Sequence, residues 1–518
     1  MFEKIQYEET LSIHMEVNDP PKPADSNFVA PQVAVRQKHP RGLYTLFFTE
    51  MWERFSYYGM RALLVLFMVD SIRGGMGMDD RTATAIYGLY TASVYLMALP
   101  GGWLADRLWG AQRAVWYGGI IIAAGHFTLA LPWMHTFYLG LVFVVVGSGI
   151  LKPNMSGMVA ELYPEGGARR DAGFTIFYMG VNLGAAIGPI VCGWLAKSMG
   201  WRYGFGAAGV GMVLGLIQFR LSRRALGTAG LQRGNEKPFL GTERIIFYGV
   251  VGAVLAGLVL ALSGWIKLNP VFLARSMSYV ILTIALLFFI YAFRFCGLDK
   301  IEKNRVAVIL VLFLTSALFW AGFEQAGSSF NLFAERYTER YLGWFHFEVP
   351  AAWFQALNPI FIISLAPLFA YLWVWLARRN LEPSIPVKFA LGLLLLGAGF
   401  VVMAGAASVV AGGAKAWPTW LITTYLIHTF GELCLSPVGL SSVTKLSPRK
   451  LVGQMMGVWF LASSLGSLMA GLLAGEFNPD TIHQWPAMYL KIVILPGIAA
   501  VLLLLFYRPI KRLMVGVK

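Results

Sequence analysis

The residues of this chain best suited to chemistry are four charged side chains and two tyrosines near its start: Glu50, Glu53, Arg54, Tyr57, Tyr58 and Arg61. Their offsets of 0, 3, 4, 7, 8 and 11 project them from one face of a helix. The run that carries them is otherwise apolar. An ionised group near the centre of a bilayer costs about 2.5–3.5 kcal/mol on insertion scales, so such a stripe persists only against a wet cavity or against other charges. Glu50 and Arg54, one turn apart, read equally well as a self-satisfied ion pair. Arg61 has no local partner and points to an external anion. A proton arriving on Glu50 or Glu53 would release a cation and rearrange the helices, which is coupling chemistry rather than bond-making.

Lys152 stands in a second apolar run, inside Gly147-Ser-Gly-Ile-Leu-Lys-Pro-Asn154. Its ammonium either pairs with Glu50 or Glu53 or binds a carboxylate on a solute, and both readings put it on a cavity. Later runs carry carboxylates alone: Glu324 in Phe319-Trp-Ala-Gly-Phe-Glu-Gln-Ala-Gly-Ser328 and Glu432 in Gly431-Glu-Leu-Cys-Leu-Ser-Pro437. A zwitterion with its carboxylate towards Arg61 and Lys152 and its ammonium towards Glu324 would satisfy both groups. Other chemistry is poorly supported. His126, His135, His346, His428 and His483 are scattered, with no pair at metal-ligand spacing and no Ser-His-Asp arrangement, so neither a metal nor another cofactor beyond the proton is expected. Cys192, Cys296 and Cys434 read as buried bystanders.

The elements that must position these groups follow from composition. A chain of 518 residues that is 57% apolar and 13% charged lacks the polar surface of a soluble protein. Its apolar runs do not alternate as barrel strands would, so the expected fold is all-α and integral to a membrane. Fourteen transmembrane helices are predicted, at 43–70, 82–107, 111–131, 136–160, 170–197, 202–222, 244–265, 276–295, 306–331, 352–377, 386–411, 418–440, 452–474 and 486–507. The net charge of +15 could suggest nucleic acid. Lys and Arg are instead concentrated in alternate connections, the positive-inside pattern, which sets both termini in the cytoplasm and leaves no nucleic-acid surface. No cleavable signal peptide is visible. The layout is a polar cytoplasmic segment (1–42), a six-helix bundle (43–222), a basic cytoplasmic linker (223–243), an inserted helix hairpin (244–305), a second six-helix bundle (306–507) and a cytoplasmic tail (508–518). Two bundles facing each other across a central cavity are expected.

With these residues on the page the chain is identified as a member of a family by resemblance. Glu50-Met-Trp-Glu-Arg-Phe-Ser-Tyr-Tyr-Gly59 resembles the first-helix signature of the bacterial proton-dependent oligopeptide transporters, the POT or PTR2 family of the major facilitator superfamily. Phe174-Thr-Ile-Phe-Tyr-Met-Gly-Val-Asn-Leu-Gly184 is similar to the family's fifth-helix signature. Gly102-Trp-Leu-Ala-Asp-Arg-Leu-Trp-Gly110 is similar to the superfamily's loop motif, and Glu432 to Pro437 to its tenth-helix motif.

The resemblance implies the major facilitator fold with an inserted helix pair. It implies that Glu50, Glu53 and Arg54, with Lys152 and Glu324, handle the proton, that Arg61 and Lys152 meet a peptide carboxylate, and that Glu324 meets its amino end. Tyr57, Tyr58, Tyr95, Asn182, Trp320, Asn358, Glu432, Ser436 and Trp459 match pocket positions, although for the aromatics core packing is the plainer reading. Asp106 and Arg107 are expected to serve an inside gate. Animal members carry a His seven residues before the position of Tyr95. Here that place holds Gly88, so no His relay operates there.

The expected function is therefore proton-coupled symport of di- and tripeptides into the cell across a bacterial inner membrane, by alternating access, in a monomer with no enzymatic activity. An anion or drug antiporter fits the two-ended charge layout less well, because a simple anion needs no Glu324. A membrane-embedded enzyme or sensor could use buried carboxylates too, but a hydrolase would want a metal-ligand cluster or an activated nucleophile, and the sequence offers neither. The inserted pair has no buried charge, and lateral packing is its expected role.

Overall fold

The computed structural model describes residues 38–165, 167–231, 241–266, 268–343 and 346–515. Six long helices come first: α1 (Arg41–Val69), α2 (Asp80–Leu104), α3 (Ala111–Leu129), α4 (Met134–Glu161), α5 (Gly167–Ser198) and α6 (Trp201–Ser222). The pair α7 (Gly241–Leu262) and α8 (Pro270–Phe295) follows, then α9 (Lys300–Phe323), the short α10 (Ser329–Tyr337), α11 (Leu357–Arg378), α12 (Ile385–Ala411), α13 (Pro418–Leu446), α14 (Val452–Ala474), α15 (Trp485–Leu505) and the short α16 (Tyr507–Leu513). A two-residue hairpin, β1 (Tyr341–Leu342) with β2 (Phe347–Glu348), lies between α10 and α11. By length and composition, ten helical segments among the described residues can cross a membrane. α1 is not among them, because Glu50, Glu53, Arg54 and Arg61 dilute its apolar run.

Local chemistry sets several helix starts. Asp79 caps α2 by accepting from the Thr82 N–H, and Asn269 caps α8 ahead of Pro270. Asp299 and Glu302 form a capping box at the start of α9. Within the first bundle α1 packs against α5 and α6, and α3 against α4; within the second, α12 packs against α13 and α15. The bundles meet along two seams, α2 against α14 and α5 against α11 with the turn that precedes it. The inserted α8 lies over the first seam, touching α2, α14 and α9 through a narrow stripe of Ala274, Ile281, Ala285, Phe289 and Ala292. Its other faces expose Phe272, Tyr279 and Phe295, as a helix facing lipid does.

Several boundaries differ from the sequence expectation, among them the starts of α8 and α9, each six residues earlier than predicted. The ninth span, read as one helix over 306–331, breaks at a 3₁₀ turn, Glu324–Gly327, and resumes as α10. The basic linker 223–243 begins later than its charge suggests, because a 3₁₀ turn at Arg223–Leu226 folds back onto the first bundle. Gln112 donates its N–H to Gly230 O at 3.0 Å and its side-chain amide to Ala229 O at 2.6 Å, and Glu161 accepts from Gly230 N at 2.9 Å. Leu226 and Ala229 are buried there. α13 runs to Leu446, beyond the predicted 440, because Pro437 lies inside the helix without ending it. Most of the polar segment 1–42, the middle of the linker and the last three residues of the tail lie outside the described residues.

Candidate functional site

The charged stripe of α1 faces inward because its opposite side is taken. A Cβ on Gly184 of α5 would meet Met51 O at 2.0 Å, and one on Gly188 would meet Phe55 O at 2.4 Å, so only glycine lets the two backbones touch. That contact leaves Glu50, Glu53, Arg54 and Arg61 on the far side, all buried. The Arg54 guanidinium lies 3.1 Å from Glu50 Oε1, is hydrogen-bonded to Glu53 Oε2, and stands 5.3 Å from the centre of the Tyr57 ring. Among the described residues, one oxygen of each carboxylate, Glu50 Oε2 and Glu53 Oε1, has no hydrogen-bond partner, and neither has Arg54 Nη2. Two acids therefore share one cation, with acceptor capacity to spare.

Two turns further on, Arg61 finds the anion it lacked locally, and that anion belongs to the chain. Its Nη2 forms an ion pair with Glu324 Oε2, 263 residues away, and its Nε donates to the Tyr87 hydroxyl at 2.6 Å. The guanidinium also lies 5.6 Å from the centre of the Tyr58 ring and 5.5 Å from that of Tyr87. The break after α9 presents Glu324 at this point, since the carboxylate sits on the first residue of the 3₁₀ turn. The pair expected to hold opposite ends of a zwitterion thus bridges the two bundles directly.

Lys152 makes no ion pair with Glu50 or Glu53 among the described residues, the first of the two alternatives read from sequence. Its ammonium instead rests 4.6 Å from the centre of the Tyr95 ring. In the second bundle the Asn358 amide donates to Glu432 Oε2 at 2.9 Å and to Thr429 Oγ1 at 3.1 Å. Asn182 is buried and donates to Tyr178 O of its own helix at 3.0 Å. The Trp320 indole N–H is buried without a hydrogen-bond partner among the described residues. Trp459 is packed against Phe389 and Gly439. Ser436 is half-buried on α13. Asp106 and Arg107 occupy a π-helical turn, Ala105–Trp109, at the far end of α2 from Asp80.

Several neighbours of the site escaped sequence reading. Tyr87 is fully buried and touches Arg61; it sits two turns from Tyr95 on the same face of α2, a spacing that could have revealed it. The ties between bundles were not visible because their partners are far apart in sequence. Arg336 of α10 holds Asp80 of α2 with two bonds, at 2.5 and 2.8 Å. Lys197 of α5 donates to Glu348 at 2.7 Å, Asn331 to Ala62 O at 2.9 Å, and the Trp353 indole to Ile190 O at 2.9 Å. All lie towards the end of the molecule that carries the α1–α2 and α5–α6 connections, so the bundles are drawn together there. The Lys197 ammonium, and then Arg340, hold the Glu348 carboxyl below the usual glutamate range. Among the described residues no cluster of His, Cys, Asp and Glu could hold a metal ion.

Comparison with known proteins agrees with this architecture. The profile described as PTR2: POT family matches residues 112–487. The chain is 44% identical to the peptide transporter YePEPT of Yersinia enterocolitica over 490 residues, covering 92% of this chain and 95% of the relative. It is 35% identical to a di-/tripeptide transporter of Lactococcus lactis subsp. cremoris, covering 92% and 97%. Its structure is similar to that of a mutant of the peptide transporter POT in complex with alafosfalin, with a TM-score of 0.84 at 41% identity over 92% of this chain and 96% of that one.

Proposed function

The chain belongs to the POT family of transporters, and from that premise we propose that it imports di- and tripeptides together with protons by alternating access. It is a carrier and not an enzyme. The observation that carries the reading is the Arg61–Glu324 pair, one partner from each bundle, flanked by Tyr58 and Tyr87 and within a chain that also half-buries Lys152 and Glu432. A peptide brings a carboxylate and an ammonium of its own. Its carboxylate takes Arg61 and Lys152 and its ammonium takes Glu324, so a bound peptide replaces the bridge charge for charge. An anion alone would leave Glu324 buried without a partner, which is costly. The fixed charges read the two termini, while side chains meet the aromatic walls of Tyr57, Tyr58 and Tyr95, with Asn182, Asn358 and Ser436 supplying polar contacts; Trp320 and Trp459 close the wall. Short peptides of many sequences fit such a site, and free amino acids fit it poorly.

The proton acts on the shared-cation cluster. Protonating Glu50 or Glu53 lets Arg54 turn to other anions, and Glu324 is the next candidate when the peptide has left. No cofactor enters besides the proton. Every group in this scheme comes from one chain, so a monomer suffices. The positive-inside pattern orients both termini to the cytoplasm of a bacterial cell, in its inner membrane, and turns the α1–α2 end outward. Asp106 and Arg107 then stand at the inner gate.

Uptake of radiolabelled dialanine into proteoliposomes under an inward proton gradient tests the reading. Native vesicles concentrate the peptide intact. A folded protein that neither accumulates nor exchanges dialanine would mean that the buried charges serve another solute.

A further inference from the structure

α2 and α14 approach so closely that their backbones touch over four successive levels. Ser464 donates its hydroxyl to Ala92 O at 3.0 Å. A Cβ on Gly88 would meet Ser467 O at 3.0 Å and Gly471 Cα at 3.1 Å. One on Gly471 would meet Thr84 O at 2.5 Å and Gly88 Cα at 2.8 Å, and one on Gly475 would meet both Arg81 Cα and Thr84 Oγ1 at 3.1 Å. The hydroxyls of Thr84 and Ser467 bond within their own helices, to Asp80 O and Ser463 O, so the middle of the crossing is backbone against backbone. The ladder ends at the outer tip beside the Asp80–Arg336 pair.

These are helices of opposite bundles. On the alternating-access reading, opening of the outer end draws the two helices apart there and breaks the contacts of the ladder. The ladder is therefore present in one state of the transport cycle and absent from the other, which is the condition for biasing an equilibrium between them. Small residues add to that bias by letting helices meet closely in a membrane, where packing rather than burial holds helices together. We propose that the crossing of α2 and α14 at Gly88 and Gly471 is a conformational latch that sets how often the outer end opens when no peptide is bound. Gly88 acquires a role from this: in this chain a side chain there would press on the backbone of α14, at 3.0 Å from Ser467 O and 3.1 Å from Gly471 Cα.

The inference rests on the alternating-access reading and is tested apart from transport. Spin labels on cysteines at Arg202 and Lys415, both exposed at the outer end of opposite bundles, report the gap between them in a cysteine-free, transport-competent background. Gly471→Ala adds one methyl where backbone stands at 2.5 and 2.8 Å, and overpacking of this kind costs enough to raise the ratio of long to short distances roughly ten-fold. Ser464→Ala adds no volume, removes only the bond to Ala92 O, and moves the ratio in the same direction by about two- to five-fold. Gly206→Ala, in open space on α6, is the control for helix propensity. The latch is overturned if Ser464→Ala and Gly471→Ala keep the native distances, or if Gly206→Ala shifts them equally. Should Gly471→Ala not fold, Ser464→Ala decides alone. If the distances shift as described but dialanine is never carried, the peptide reading fails and the latch stands.

Discussion

Arg61 and Glu324 are 263 residues apart in sequence, yet the guanidinium of one bonds the carboxylate of the other at the meeting of the two bundles. Removing one partner of a buried pair costs about 3–5 kcal/mol, chiefly by leaving the other charge alone. Arg61→Ala and Glu324→Gln are each expected to lower dialanine uptake at least twenty-fold in proteoliposomes. They should also lower the melting temperature, because this structure itself holds the pair. A variant that melts lower but transports normally would assign the pair to stability alone.

Glu50 and Glu53 compete for Arg54, and each keeps one oxygen without a partner. Replacing Glu50 by Gln keeps the shape and removes a titrating group. Gradient-driven accumulation should be abolished in Glu50→Gln while exchange of labelled for unlabelled dialanine continues within a few-fold of native, as expected when coupling is lost and binding retained. Equal loss of both activities would move the coupling proton elsewhere.

Tyr87 holds the Nε of Arg61 through its hydroxyl. A hydrogen bond to a charged group contributes about 1.5–3 kcal/mol. In Tyr87→Phe the guanidinium loses its orientation, and the KM for dialanine should rise about ten-fold with a smaller change in maximal rate. An unchanged KM would show that the peptide does not depend on how Arg61 is held.

Glu348 stands outside the spanning helices, in the short hairpin β1–β2, with its carboxyl kept below the ordinary value of 4.5 by the Lys197 hydrogen bond and then by Arg340. A lowered carboxyl stabilises the folded protein at pH values above its unfolded-state pKa, and that contribution fades as pH falls through the lower folded-state value. The difference in melting temperature between native protein and Glu348→Gln should thus be constant near neutrality and vanish only once the medium is acidified below the lowered folded-state value. A difference that persisted in acid would point to packing rather than charge. Both side chains are substantially exposed, so the effect also shrinks in high salt.

The helical spans were legible because apolar runs of membrane length announce themselves, and the α1 stripe because four charges at helical spacing have few places to go in a bilayer. The break at Glu324 was not, since Gly322, Gly327 and Ser328 are ordinary residues for a membrane helix and nothing local separates a kink from a continuous turn. Tyr87 was overlooked although its spacing from Tyr95 was available. The union of Arg61 with Glu324, like that of Asp80 with Arg336 and Lys197 with Glu348, depends on how two bundles dock, and periodicity along one helix carries no information about another. The fold-back after α6 was hidden by charge: Arg223 and Arg224 look like linker, but their neighbour Leu226 is buried, and Ala229 and Gly230 are held by Gln112 and Glu161.

That fold-back says where the first half ends as an assembly unit. A polypeptide stopped at Ser222 would forfeit the buried Leu226 and the carbonyls that satisfy Gln112, and would leave that amide facing nothing in its own bundle. One stopped at Leu231 keeps them. If the transporter is to be made as two separately translated pieces that find each other in the membrane, the scission belongs between Leu231 and Gly241, and the amino-terminal piece should prove soundest when it takes the arginines along.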